Sequence, residues 1–265
     1  MKKIAVLSLL LIFISSFAFA GTVDLPRTGQ TKCYDTAGTE ISCAGTGQDG
    51  DIQAGVAWPD PRFTENGDGT ITDNLTGLMW TKDGNLGGER TWQDALYYVA
   101  NLNSGDGYKG HSDWRLPNIN ELESLVNADE FYISSEWLNN QGFINVQNDY
   151  LSSNSFSFST EYPIIVLYFN GVGGSSKSAK RYVWPVRGKT SGPCKIWRTG
   201  QTYSYAAGDD GDLQQGVTWP DPRFRDNSDG TITDYLTGLM WLKDANCFGS
   251  MSWQDLFPKI DDFNG

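Results

Sequence analysis

Fifteen residues occur twice in this chain. Asn66–Trp80 reads NGDGTITDNLTGLMW, and Asn227–Trp241 reads NSDGTITDYLTGLMW. The flanking segments WPDPRF (Trp58–Phe63 and Trp219–Phe224) and TWQD or SWQD (Thr91–Asp94 and Ser252–Asp255) keep the same spacing of 161 residues. A period this long exceeds any solenoid unit, so the duplicated object is a whole domain. The sequence therefore predicts one complete domain over 21–190 and a truncated second copy over 191–265.

Residues 1–20 read as a secretory signal peptide. Lys2 and Lys3 precede an apolar run, Ile4 to Phe19, and Ala18-Phe19-Ala20 offers small residues at the positions a signal peptidase reads. The run is too short, and lacks the basic flank, for a stop-transfer anchor. The expected address is secreted, periplasmic or outer cell surface. The formal charge of −12 disfavours nucleic acid as a partner, because a negative field repels polyphosphate. In an exported chain the four cysteines are read as disulfides before metal ligands. Cys33 and Cys43 bracket an insertion that the second copy lacks, so both come and go together, as a bonded pair would. Closing so short a loop stabilises by roughly 2–3 kcal/mol through the unfolded chain.

Local patterns fix a coarse order of elements. Thr70-Ile71-Thr72 and Leu78-Met79-Trp80 predict a hairpin across the Asp73-Asn74 and Thr76-Gly77 turn residues. Thr91 predicts an N-cap, with Trp92, Leu96, Val99 and Leu102 on one face of a helix over 91–103. Pro117, Asn118 and Glu121 predict a second helix over 119–127, with Ile119, Leu122, Leu125 and Val126 as its apolar stripe. In the second copy, Pro258 falls inside the counterpart of the first helix and is expected to kink it. Strands follow at 164–169 and 181–186. Two early helices and a late antiparallel sheet make an α+β domain.

The series DGTITDNLTGLMW, TWQDAL, HSDWRLPNINELESLV, YLSSNS and KRYVWPVRG resembles the Lcl C-terminal-like family, named for a domain of bacterial collagen-like adhesins. The resemblance implies a C-type-lectin-like fold, a scaffold also used by variable proteins of diversity-generating retroelements. It further implies an exported, non-catalytic binding or adhesion module for a glycan or protein ligand. An exported hydrolase or a cell-envelope structural protein is the alternative.

Candidate sites follow from residue chemistry. Asn66, Asp68 and Asp73 have the oxygen-rich look of a calcium loop, but Thr64 stands at the first ligand position and no bidentate Glu follows, so turn chemistry is the stronger reading and calcium the weaker. No other cofactor is expected. The ligand face is placed on Tyr150, Asn154, Phe156, Phe158, Tyr162 and Asn170, where aromatics alternate with Ser and Asn as in antibody loops. Lys177, Lys180 and Arg181 add a local basic cluster for an anionic ligand. Their aromatic neighbours could equally form a buried face. His111, the only histidine, reads as a loop residue, and Arg115 is expected to pair with Asp113 or a carbonyl. An acid–base couple of Asp113 and Glu121 is disfavoured, because Glu121 already serves as a cap. No catalytic residue is assigned.

Overall fold

The computed structural model describes residues 20–130, 134–155, 164–168 and 171–264, and within these the chain is mixed α/β with several small sheets. The predicted hairpin forms. Thr70–Asp73 pairs antiparallel with Met79–Thr81, with Ile71 opposite Trp80, and Phe63–Glu65 and Val186–Arg187 extend it to four strands. A five-stranded sheet runs in the order Glu89–Arg90, Arg181–Tyr182, Asp149–Ser155, Ile164–Tyr168, Gly171–Ser175. Its central strands are antiparallel, whereas Tyr182 lies parallel to Tyr150.

Both predicted helix starts carry their caps. Thr91 accepts from the Asp94 amide at the head of helix Trp92–Leu102. Asn118 and Glu121 form a reciprocal capping box on helix Ile119–Glu123. That second helix stops at Glu123 rather than 127, and 3-10-type bonds from Leu125 and Val126 tighten the following turn. A helix at Ser134–Asn140 was not anticipated. Only Trp137 and Leu138 mark its apolar side, too few for a helical period to register.

The core gathers where these elements meet. Ile71, Leu78 and Trp80 from the hairpin, Leu122 and Leu125 behind the capping box, and Phe143, Tyr150 and Trp184 from later segments are all at most 1% exposed. Trp184 is the hub, with ring centroids of Trp80, Phe143 and Tyr150 at 5.3, 5.1 and 5.1 Å. Trp92, Ala95, Leu96 and Val99 face a smaller cluster with Leu116, Leu151 and Val183. Cys33 and Cys43 are bonded, with Cα atoms 5.1 Å apart.

The second repeat rebuilds the same small sheet. Phe224–Asp226, Thr231–Asp234 and Met240–Leu242 pair with the registers of their counterparts, so Ile232 faces Trp241 as Ile71 faces Trp80. Helix Trp253–Asn264 continues through Pro258. Among the described residues no helix is long and apolar enough to cross a membrane.

Candidate ligand-binding cleft

The repeat begins earlier than the WPDPRF segments. Gly21 to Gln30 (GTVDLPRTGQ) matches Gly192 to Gln201 (GPCKIWRTGQ) at a spacing of 171, which the ten-residue excess around Cys33 and Cys43 reduces to 161 downstream. Each arm folds on the same local bonds. Arg27 donates to Gln53 at 3.0 Å and Arg198 to Gln214 at 3.1 Å, while the indoles of Trp58 and Trp219 donate to the carbonyls of Arg27 and Arg198.

The second arm is seated on the first repeat. Ile196 joins the main core, Cys194 is 1% exposed, and Ala206 packs against the helix cluster. Polar bonds fix the register. Asn120 donates to the Trp197 carbonyl at 2.9 Å and Asn118 to that of Gln215 at 3.3 Å. Asn154 is the pivot: its Oδ1 accepts from the Ile119 amide at 2.8 Å, and its Nδ2 donates to Thr199 and Asp210, both at 2.9 Å. Burial pushes the Asp210 carboxyl above its ordinary range, against the pull of the Thr199 and Asn154 bonds. Burial also drives the Cys194 thiol up to about 11, so it behaves as a small apolar side chain. Contacts of Cys194, Ile196, Thr199, Ala206, Asp210 and Gln215 thus tie the second arm to the first repeat.

Between this arm and the short segment that leads into it opens a cleft of about 420 Å³, lined by Lys189, Thr190, Lys195, Arg198, Gln214 and Val217. A second hollow of about 310 Å³ shares Lys189 and reaches Trp114 and Arg115. Charge around the two hollows divides into two sets. Arg187 is paired with Asp113 at 2.6 Å, and Arg115 holds Glu121 through two bonds of 2.6 and 2.7 Å. Lys189, Lys195 and Arg198 take part in no ion pair among the described residues. Three cations without carboxylate partners line one concavity in a chain of charge −12.

The residues expected to bind ligand sit elsewhere. Tyr150 and Asn154 are 0% and 2% exposed, which corrects their placement on a surface: Tyr150 lies in the core and its hydroxyl accepts from the Gln147 amide, while Asn154 faces the second arm. Lys177 lies over the rings of Trp92 and Tyr205, 4.4 and 5.1 Å from their centroids, and bridges repeat and arm. Lys180 is exposed, and Arg181 pairs in the sheet with Arg90. Phe156, Phe158, Tyr162 and Asn170 lie outside the described residues.

The oxygen-rich turn is held by its own bonds. Asp68 accepts from the Thr70 amide and hydroxyl, and Asn66 donates to Thr70 and Thr72. Asp73 lies at the other end of the strand, fully buried, accepting from Leu75, Thr76 and Arg62. Arg62 stacks 4.0 Å from the Trp58 ring, and burial lowers its pKa despite the pull of Asp73. Arg115 takes Glu121 rather than Asp113, because the capping box points Glu121 back beneath the guanidinium. Among the described residues no group of three His, Cys, Asp or Glu gathers as a metal site.

Comparison with known families reaches the region that supplies this core. Residues 69–187 match the Lcl C-terminal domain. The chain carries an Lcl C-terminal domain. The match begins within the duplicated turn and ends at Arg187, two residues before Lys189, so the residues that line the larger cleft all follow it, while the smaller hollow is lined from both sides, by Asn103, Trp114 and Arg115 and by Leu213 and Gln215. No curated protein matches the chain.

Sequence reasoning missed the cleft because its basic residues, Lys189, Lys195 and Arg198, are spread along the chain with no local pattern that joins them. The signal lay in the arms: Lys195 occupies the place that Asp24 holds in the first arm, a charge reversal in an otherwise repeated segment.

Proposed function

We propose that this is an exported, non-catalytic binding or adhesion module of the C-type-lectin-like kind, built as a tandem repeat, that takes a glycan or protein ligand at the basic cleft of the second arm. The address is the periplasm, the outer surface or the medium. The reading rests on the Lcl C-terminal domain and, above all, on the unpaired Lys189, Lys195 and Arg198 in one concavity. Such a cleft favours a ligand bearing carboxylate or another anionic group, which a cation without an internal carboxylate partner can meet at little cost in desolvation. Catalysis is not proposed, because Asp113 and Glu121 are each held by an arginine and form no free acid–base couple.

Glycan-array and protein pull-down measurements on the exported chain identify the ligand. Replacing Lys189, Lys195 and Arg198 together by Ala should reduce its affinity by at least about tenfold, taking each charge-assisted contact as roughly 1 kcal/mol or more. Binding should also weaken between low and physiological salt. Unchanged affinity in the folded triple variant moves the ligand to another face.

A further inference from the structure

The two arms are seated in a reciprocal way. The second arm lies on the turn of the first repeat: Gly192 and Cys194 donate to the carbonyls of Thr76 and Leu75, both at 3.0 Å. The first arm lies on the turn of the second repeat: Thr22 donates to Tyr235 at 3.2 Å and Val23 to Leu236 at 2.9 Å. Val23 and Cys194 are counterparts, as are Leu236 and Leu75, and all four are buried at 2% exposure or less. Glycine is required at the head of both arms. A Cβ on Gly192 would stand 2.3 Å from the Leu75 oxygen, and one on Gly21 2.3 Å from the Thr237 carbonyl carbon. The opposing glycines, Gly77 and Gly238, adopt φ of 77° and 74°.

The side chains that differ between the arms leave the contact intact. Thr22 is replaced by Pro193, which has no N–H, yet the bond from the next residue is kept in both places. Backbone bonds, a buried apolar residue and clearance for glycine thus define the contact, and none of these depends on which repeat supplies the arm. We propose that the Leu-Thr-Gly turn is a docking socket whose ligand is the glycine-led arm of another copy of the unit. In this chain the two copies close on each other. With its own arm displaced, the socket at Leu236–Gly238 takes the arm of a second copy in trans, so that units join head to tail.

Hydrogen exchange and NMR on the full exported chain test this. The Thr22 and Val23 amides should exchange at least about tenfold more slowly than in a free peptide, protection that reports a closed contact. Gly21→Leu should abolish that protection, and where that bulkier change disturbs folding, Val23→Pro, which removes the Val23 donor itself, should abolish it at Thr22. Thr22→Pro should preserve it at Val23, as Pro193 does in the second arm. A synthetic peptide of residues 21–30 should then shift the Leu236, Thr237 and Gly238 resonances of the Gly21→Leu chain saturably, and a peptide carrying Gly21→Leu should not. Unprotected Thr22 and Val23 amides overturn the socket. Protected amides with no peptide shift up to millimolar concentration overturn docking in trans. Neither readout depends on the ligand of the cleft.

Discussion

Trp80 and Trp241 occupy the same position of the same fifteen-residue segment, in strands of the same register, yet one is fully buried and the other is 56% exposed. The contrast extends along the face. Phe63, Leu78 and Trp92 are 7, 0 and 1% exposed, whereas Phe224, Leu239 and Trp253 are 55, 42 and 51%. Everything local is nevertheless duplicated: the sheet register, the Asn and Asp turn bonds, the arginine stacked on its tryptophan, and the arginine–aspartate pair. The repeat therefore encodes its turn and sheet by short-range bonds. Burial comes from elsewhere, namely helix Ile119–Glu123, Leu138, Phe143, Tyr150, Leu167 and Trp184, which gather on the first repeat.

The largest effect should separate the two tryptophans. Trp80→Ala removes a large side chain from between Ile71 and Trp184 and should cost about 3–5 kcal/mol in urea unfolding, including the cavity term. Trp241→Ala removes a ring already in solvent and should change stability by about 0.5 kcal/mol or less. Equal losses would show that the second face is covered in solution, and would break the comparison.

The aspartates give the next effect. Asp73 is fully buried against Arg62, which is 5% exposed and whose Nη1 has no partner, so Asp73→Ala leaves a cation in the interior and should cost about 3 kcal/mol or more. Asp234→Ala leaves Arg223, whose side chain is 22% exposed, and water can solvate it. About 1–2 kcal/mol is expected there, mainly from the turn bonds to Leu236 and Thr237. The comparison is sharpened if the ratio of the two losses follows arginine exposure. Similar losses would assign the effect to the turn bonds alone.

What the residues reveal on their own follows the same division. The hairpin, both helix caps and the Cys33–Cys43 bond were legible because each rests on neighbours close in sequence. Tyr150 and Asn154 were misplaced because alternation in a strand marks a wet face only when one side is open. Strand Asp149–Ser155 is covered on both sides, by Trp184 and its neighbours on one and by helix Ile119–Glu123 and the second arm on the other. Glu121 was read as a cap, which it is, but its second role toward Arg115 depends on how the loop enters the helix. The unpaired cations of the cleft were invisible for a similar reason. Lys189 and Lys195 face one hollow only because Gly192 and Cys194 dock on the turn between them, a contact that no local pattern announces.

The smallest effect concerns pH and the joint between the first repeat and the second arm. Asp210 and Asp49 are counterparts, each accepting from the threonine of its own arm, but Asp210 is 2% exposed and also accepts from Asn154, while Asp49 is partly exposed. Burial raises the Asp210 carboxyl above its unfolded value. The folded state then binds more protons than the unfolded state in the window between the two values, so this group adds stability as pH falls through the folded value and withdraws it as pH rises. Asp210→Asn removes the titration while keeping an amide oxygen to accept from Thr199 or Asn154. The difference in unfolding free energy, wild type minus Asp210→Asn, should therefore increase on acidification from pH 7 toward 4, with a slope bounded by about 1.4 kcal/mol per pH unit for one proton. The measurement is urea unfolding followed by tryptophan fluorescence at half-unit pH steps. Stability that instead falls on acidification relative to Asp210→Asn would mean that the Asn154 and Thr199 bonds outweigh burial, and that the second arm is held by a carboxylate rather than in spite of one.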